Sequence, residues 1–157
     1  MKRLMPTVLA TAFLSFTLGC AQQAVAPAPP AAQPAANTVT ALKMAKDEGV
    51  IDKAFFNEVV AAKVSNVHLI DVRTDFEFAA GHFAGSKHVP INEIYSEGCP
   101  PTIAKFPKEG FVVFVCATGA RAGEMYFGLK DDCKVDMKRF AFLDAEVMFG
   151  PKGPVVK

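Results

Sequence analysis

One stretch decides the fold of this chain: Phe111-Val-Val-Phe-Val115-Cys116-Ala-Thr-Gly-Ala-Arg121. Its first five residues are all apolar, β-branched or aromatic, which is typical of a strand buried on both faces. Residues 122–130 follow and predict a helix. Cys116 therefore lies at the end of a buried strand, with a loop of small residues and a helix N-terminus directly after it. Backbone N–H groups in such a loop, together with the helix dipole, form a cradle for a negative charge.

The loop predicts a nucleophilic cysteine at position 116. An anion cradle favours the thiolate over the thiol, and the thiolate is the nucleophilic form. Gly119 is the position at which a positive φ costs least, and Arg121 adds a permanent positive charge. The expected cradle consists of Ala117, Thr118, Gly119, Ala120 and Arg121.

The remaining pattern predicts an α/β fold. Further strands are expected at residues 50–51 and 67–72 and, last in the chain, at 139–143. Helices are expected after a cap at Asp52, over residues 75–80, and from the loop to about Asp131. Residues 89–92 are expected to lead into another helical turn, whereas residues 93–110, with Gly98 and the pair Pro100-Pro101, are predicted to be loop-rich. Alternating strands and helices indicate a central, mostly parallel sheet with helices on both faces. Ligands bind beyond the carboxyl ends of such strands, where Cys116 falls.

The N-terminus predicts export. Lys2 and Arg3 precede an apolar run over residues 4–18 that is too short for an ordinary membrane helix, and Leu18-Gly19-Cys20 ends it. This segment resembles a bacterial lipoprotein signal, in which the cysteine is lipidated, although Thr17 stands where an aliphatic residue is usual. Ordinary cleavage is the alternative. We expect residues 1–20 to be the signal segment of a periplasmic lipoprotein anchored to the membrane through Cys20.

Residues 21–40 are rich in Ala, Pro and Gln and predict an extended tether. A tether behind a lipid anchor would hold the folded domain, residues 41–157, away from the membrane. The formal net charge of +1 offers no surface for nucleic acid. The histidines lack the spacing of metal ligands, so we expect no metal and no cofactor.

Three cysteines remain in the predicted domain, an odd number for an exported protein. Pairing Cys99 with Cys133 leaves Cys116 free and is the economical solution, since oxidising compartments pair cysteines. Sequence separation alone does not bring Cys99 and Cys133 together. The alternative is three reduced thiols.

Two motifs resemble the signatures of rhodanese-like domains. The first consists of Leu69-Ile-Asp71-Val-Arg73, Glu77-Phe78, Gly81-His82-Phe-Ala-Gly-Ser86 and Val89-Pro90. The second, Cys116 to Arg121, is similar to the active-site loop of that family. The resemblance covers roughly residues 48–150 and implies a rhodanese-like three-layer fold. The C-terminal segment differs, because Asp144-Ala145-Glu146 stands where the family usually has a Gly-Gly turn, so either carboxylate could add negative charge at the rim of the pocket.

The resemblance implies a sulfurtransferase. The Cys116 thiolate would take sulfane sulfur from thiosulfate or a similar small anion and pass it, through a persulfide, to a thiol or protein acceptor. Arg121 would hold the loop, bind an anionic donor, or do both.

Four neighbouring residues are expected to support the site rather than to react. Asp71 and Arg73 either contact the active loop or, as we favour, form an ion pair that holds the strand end and the helix of Glu77. His82 resembles a general base but, after Gly81 in a turn, is expected to be a structural, hydrogen-bonded histidine.

Other functions fit the same loop. A sulfur carrier or a non-turnover partner-binding domain at the membrane would need the persulfide but no catalysis. A cysteine phosphatase or arsenate reductase ranks lower, because such loops place five residues between Cys and Arg and this chain has the four from Ala117 to Ala120. A thiol redox role is weaker still, since no Cys-x-x-Cys is present.

Overall fold

A computed structural model describes residues 37–150 and 152–157 of the chain. The elements, in chain order, are α1 (Lys53–Ala62), β1 (Val67–Asp71), α2 (Asp75–Ala80), β2 (Lys87–His88), α3 (Asn92–Ser96), α4 (Cys99–Ala104), β3 (Phe111–Val115), α5 (Ala120–Phe127), β4 (Phe140–Phe142), β5 (Val147–Gly150) and β6 (Gly153–Val156). A π-helical turn, Gly128–Asp132, extends α5, and a 3₁₀ turn, Met137–Arg139, leads into β4. No helix among the described residues has the length and apolar character needed to cross a bilayer.

The central sheet is parallel, as the sequence predicts. Its four strands lie in the order β2-β1-β3-β4, and Asp71 at the end of β1 is level with Val115 at the end of β3. Both strand ends therefore lie at the same edge of the sheet, and the residues that follow them meet there.

Alternation along β3 divides the interior into two layers, because successive side chains of a strand point to opposite faces. Val112 and Phe114 pack with α5 and the segment around α3 and α4. Val113 and Val115 pack with α1 and the β5–β6 hairpin. The two packed faces give the three-layer α/β architecture.

Three elements differ from the sequence predictions. Val50 and Ile51 form only isolated bridges, to Phe142 and Met44, because each bonds a different neighbour. The predicted helical turn after residues 89–92 is α3, which continues to Ser96, and the predicted loop-rich segment at 93–110 also contains α4. Pro100 and Pro101, which favour a loop in the sequence, occupy the first turn of α4, where no N–H is required.

The C-terminus also differs, because the predicted last strand is followed by another pair. β5 and β6 form an antiparallel hairpin beyond β4, and β4 itself is shorter than predicted because Arg139 belongs to the 3₁₀ turn. Gly153, with φ of 99°, takes a left-handed conformation at the start of β6, where glycine is favoured.

The predicted cap of α1 is confirmed, since the Asp52 side chain accepts a hydrogen bond of 2.8 Å from the N–H of Phe55. Such a cap contributes about 1 kcal/mol. Among the described residues, Asn37 and Val39 already bond to the folded domain, although the sequence predicts them to be part of the tether. The Asn37 carbonyl accepts from Ser65, and the Val39 backbone exchanges two hydrogen bonds with the Asn66 side chain.

A buried ion pair joins three elements at the carboxyl edge of the sheet. Arg73 donates to both carboxylate oxygens of Asp71, with Nη2–Oδ2 at 2.7 Å, and both side chains are almost fully buried. The same guanidinium donates to the Gly81 carbonyl at 2.6 Å and lies 3.4 Å from the ring centroid of Phe149. The favoured prediction, an ion pair that holds the strand end, agrees with this geometry, which also ties in the end of α2 and the β5–β6 hairpin.

A disulfide joins Cys99, at the start of α4, to Cys133, directly after the π-helical turn. This pairing is the one that the sequence favoured. Cys116 is left as the free cysteine of the described residues.

We expect Arg73→Met to lower the free energy of unfolding by about 3–5 kcal/mol, because it leaves the Asp71 carboxylate buried without its partner. Urea denaturation monitored by circular dichroism measures this. Lys138→Met removes one partner of an exposed ion pair with Asp136 and should cost less than about 1 kcal/mol. The double variant Asp71→Asn, Arg73→Met should recover part of the loss. Equal effects of Arg73→Met and Lys138→Met would contradict the role given to the buried pair.

Candidate active site

The Cys116 side chain lies at the centre of the carboxyl edge of the sheet. The residue is 1% exposed and packs with Ala122 of α5 in the same layer as Val112 and Phe114. Its Sγ accepts a hydrogen bond of 3.2 Å from the N–H of Gly119. The sulfur is therefore held close to the N-terminus of α5, where backbone dipoles favour a negative charge.

The loop is tied to its surroundings through backbone carbonyls. Ala117 accepts from the Val147 N–H of the β5–β6 hairpin, and Gly119 accepts from Gly123, each at 2.8 Å. Thr118 and Ala120 lie exposed on the outer side of the loop. Among the described residues, Gly119 provides the one loop amide that reaches the sulfur, so the predicted cradle is present as a loop with a single donor engaged.

Gly119 is required by two features together. Its φ of 92° lies in the region that favours glycine. A Cβ at this position would lie 2.4 Å from Oδ1 of Asp144 and 2.8 Å from the Asp144 Cα. A side chain here would displace either the loop or the segment that follows β4.

Arg121 forms an ion pair with Glu77 of α2, so its guanidinium is not free to bind a ligand. The two form a bidentate pair with both N–O distances at 2.7 Å, and each side chain is about one-third exposed. The guanidinium lowers the pKa of Glu77 from 4.5 to about 2, while the hydrogen bond to Glu77 raises the pKa of Arg121 above its ordinary value. Arg121 is thereby committed to holding the loop against α2.

Glu77 has a second role at the start of its own helix. The Glu77 carboxylate accepts from the Thr74 N–H at 3.2 Å, and the Thr74 hydroxyl accepts from the Glu77 N–H at 3.3 Å; these two bonds form a capping box. One carboxylate thus caps α2 and holds Arg121. Sequence reasoning placed Glu77 near the strand end but missed this pair, because the partners are 44 residues apart.

His82 occupies a structural position. Its Nδ1 lies 2.9 Å from the Phe78 carbonyl, and its ring stacks on Phe78 with centroids 4.0 Å apart. The other face of Phe78 stacks on His88. These contacts account for the ring without a catalytic role.

Two surface cavities are lined by residues other than Cys116. An apolar cavity of about 430 Å³ between α1 and β1 is lined by Val59, Val64 and Val67, toward the amino end of β1. A polar cleft of about 500 Å³ lies beside Arg121, between Thr74 of the β1–α2 connection and Glu93 of α3. Of the two, the cleft is at the carboxyl edge, and it is the one that adjoins the loop.

Comparison with known proteins identifies the family. A family model described as the rhodanese-like domain matches residues 57–144, more than half of the chain. The chain therefore belongs to the rhodanese-like domain family. The matched residues include both sequence signatures, the second of which is the loop from Cys116 to Arg121. Asp144 is the last matched residue.

Solved structures of rhodanese-like proteins are similar to this chain. A rhodanese-related protein from Thermoplasma volcanium has 20% identity and a TM-score of 0.47, over 62% of this chain and 84% of its own. A rhodanese-like domain protein from Staphylococcus aureus has 23% identity and a TM-score of 0.46, over 66% of this chain and 93% of its own. A search of curated proteins found no match.

The pair of Glu77 with Arg121 predicts a pH dependence of stability. Because the Glu77 pKa is about 2 in the folded protein and near 4.5 without its partner, the pair stabilises the fold above about pH 4.5. This contribution is lost as the pH falls from 4.5 toward 2. Glu77→Gln should therefore destabilise the protein by about 1 kcal/mol at pH 6, a value kept small by solvent exposure. Urea denaturation of parent and variant at pH 6 and pH 3 measures the difference, which should be smaller at pH 3. A difference that grows toward pH 3 would contradict the assignment.

Proposed function

We propose that this rhodanese-like domain is a sulfurtransferase that moves sulfane sulfur through a Cys116 persulfide. The observation that carries the proposal is the hydrogen bond from the Gly119 N–H to the Cys116 sulfur, within a loop at the N-terminus of α5. This donor stabilises a negative charge on the sulfur before reaction, so little reorganisation is needed as the reaction proceeds.

The proposed reaction begins with attack of the Cys116 thiolate on the outer sulfur of a donor such as thiosulfate. The S–S bond of thiosulfate breaks, sulfite leaves with the bonding electron pair, and Cys116 carries a persulfide anion. A thiol or protein acceptor then attacks the outer sulfur and releases the Cys116 thiolate. Among the residues of the loop, the amides of Ala117, Thr118 and Ala120 are the remaining donors for the outer sulfur.

The size of the loop favours sulfur over phosphate. Four residues separate Cys116 from Arg121, and the Arg121 guanidinium is bound to Glu77. A phosphatase would need a wider loop and a free guanidinium to hold three phosphate oxygens. A cysteine phosphatase or arsenate reductase is therefore the weaker proposal.

The disulfide also bears on the chemistry. Cys99 and Cys133 are bonded to each other, so neither offers Cys116 a thiol partner among the described residues. An intramolecular dithiol cycle is correspondingly disfavoured. A sulfur carrier that forms the persulfide without turnover differs from an enzyme only in its transfer rate.

Cys116→Ser should abolish sulfur transfer from thiosulfate to cyanide, lowering kcat/KM by at least about 10³-fold, because the hydroxyl replaces the nucleophile. Thiocyanate formation measures the activity. Mass spectrometry of the parent after thiosulfate should show a gain of about 32 Da on Cys116, the mass of a persulfide sulfur. Persulfide without thiocyanate would identify a carrier, and full activity of Cys116→Ser would refute the site. Turnover of an aryl phosphate alone would refute the sulfur assignment.

We further propose that the protein is an exported, periplasmic lipoprotein anchored through Cys20, with residues 21–36 as the tether, because Asn37 and Val39 bond to the folded domain. Residues 1–36 lie outside the described part of the chain, so this proposal is based on their sequence. The disulfide supports it, since disulfides persist in oxidising compartments. The acceptor would then be a small thiol or a protein on the same side of the membrane.

Cys20→Ala should move the protein from the membrane fraction to the soluble fraction of a bacterial host and abolish incorporation of labelled palmitate, since the lipidated residue is gone. Immunoblotting of the fractions and labelling measure both effects. Cys116→Ser is the matched control and should stay in the membrane fraction with its lipid. Lipid incorporation into Cys20→Ala would contradict the anchor.

A further inference from the structure

Asp144 places a carboxylate against the loop that holds Cys116. Its Oδ1 lies 2.4 Å from the point that a Cβ on Gly119 would occupy, and the Gly119 N–H is itself 3.2 Å from Sγ. Adding the covalent bonds of Gly119 puts the carboxylate oxygen within about 9 Å of the sulfur. This separation is shorter than the Debye length of about 10 Å at 0.1 M salt, so the two charges interact.

The cations near the loop do not neutralise this carboxylate. Arg121 is bound to Glu77 and Arg73 to Asp71, each by two or more hydrogen bonds. Among the described residues, Asp144 has no hydrogen bond and no ion pair of its own. Because Glu77 offsets Arg121, the Asp144 charge is left uncompensated beside the loop.

Glu146, two residues after Asp144, differs from it in having a cationic partner. Both residues are exposed, but the Glu146 carboxylate has a cationic partner, Lys157, at 3.3 Å. Of the two acidic residues that the sequence offers at this rim, Asp144 is thus the one without a partner among the described residues, and its carboxylate lies beside Gly119.

We propose that Asp144 selects the sulfur donor by charge: it disfavours the thiosulfate dianion and favours sulfane sulfur carried on a neutral or cationic organic persulfide. This inference rests on the proposed sulfurtransferase function and narrows its substrate class. The Cys116 thiolate attacks the outer sulfur of R–S–SH, the S–S bond breaks, and RS⁻ leaves. The leaving RS⁻ takes up the proton of the transferred sulfur and departs as RSH, so Cys116 carries a persulfide anion and charge and atoms balance. In this reaction the donor does not bring two negative charges past Asp144.

The test compares three donors whose reacting forms differ in charge: thiosulfate (two negative charges), mercaptoethanol persulfide (neutral) and cysteamine persulfide (one positive charge). Asp144→Asn should raise the rate of Cys116 persulfide formation from thiosulfate about 5-fold at low salt, because repulsion of a dianion is removed. The rate with mercaptoethanol persulfide should change less than about 2-fold, and that with cysteamine persulfide should fall about 2-fold. The gain with thiosulfate should shrink at 0.5 M salt. Mass spectrometry of Cys116 at timed intervals gives each rate.

Glu146→Gln is the matched control, since it removes the same charge two residues away and should leave all three rates unchanged. Asp144→Lys should extend the thiosulfate gain beyond that of Asp144→Asn, which separates charge from a change in loop shape. Equal shifts for all three donors, or equal shifts in Glu146→Gln, would overturn the role of Asp144 while leaving the sulfurtransferase function intact. Absence of a Cys116 persulfide with every donor in the parent protein would overturn both.

Discussion

The rest of the site depends on the buried ion pair between Asp71 and Arg73. A buried charge is costly unless its hydrogen bonds are satisfied, and here the guanidinium needs the Asp71 carboxylate and the Gly81 carbonyl at once. Meeting both requirements fixes the end of β1 relative to the end of α2. The Phe149 ring stacked on the guanidinium brings the β5–β6 hairpin into the same arrangement. The Arg73 side chain therefore positions the end of β1, the end of α2 and the β5–β6 hairpin relative to one another.

The position of α2 then determines the position of the loop. Glu77 lies in the first turn of α2, and its carboxylate holds Arg121 at the start of α5. On its other side, α5 packs closely on the sheet: Gly123 lies so near β4 that a Cβ there would be only 3.1 Å from the Phe142 ring. The N-terminus of α5 is thus fixed from two directions, and the Gly119 N–H is held at the sulfur without help from a ligand. A site of this kind is preorganised for an anionic sulfur.

Sequence patterns predicted the parts of this fold that depend on local signals. β1 and β3 are continuous apolar runs, Asp52 is a cap directly before an apolar periodicity, and Cys116 ends a buried strand. The same reasoning failed where local signals conflict with tertiary packing. Pro100 and Pro101 predict a loop, yet they begin a helix that the disulfide of Cys99 joins to the chain after α5.

The contacts that define the site were beyond local patterns for a different reason. Glu77 and Arg121 come from separate elements, and only the parallel sheet, which puts the ends of β1 and β3 level, makes them neighbours. The approach of Asp144 to Gly119 likewise needs the register of β3 with β4. The sequence showed that Asp144 and Glu146 were both acidic, whereas the fold distinguishes them, because Glu146 pairs with Lys157 and Asp144 does not.

The charges of the site divide into structural and chemical ones. Both arginines at the carboxyl edge are occupied by carboxylates of the protein, so they hold the fold together and contribute little net positive charge at the mouth. Stabilisation of a negative charge on the sulfur therefore falls to the loop backbone, where the Gly119 N–H is the donor engaged. Such an amide acts over a short range and suits a single charge on a small atom. Asp144 acts over a longer range and opposes additional negative charge. For the proposed sulfur transfer, a site that combines the two would stabilise the thiolate and a persulfide anion, each with one charge on sulfur, and would discriminate against a donor that brings two more.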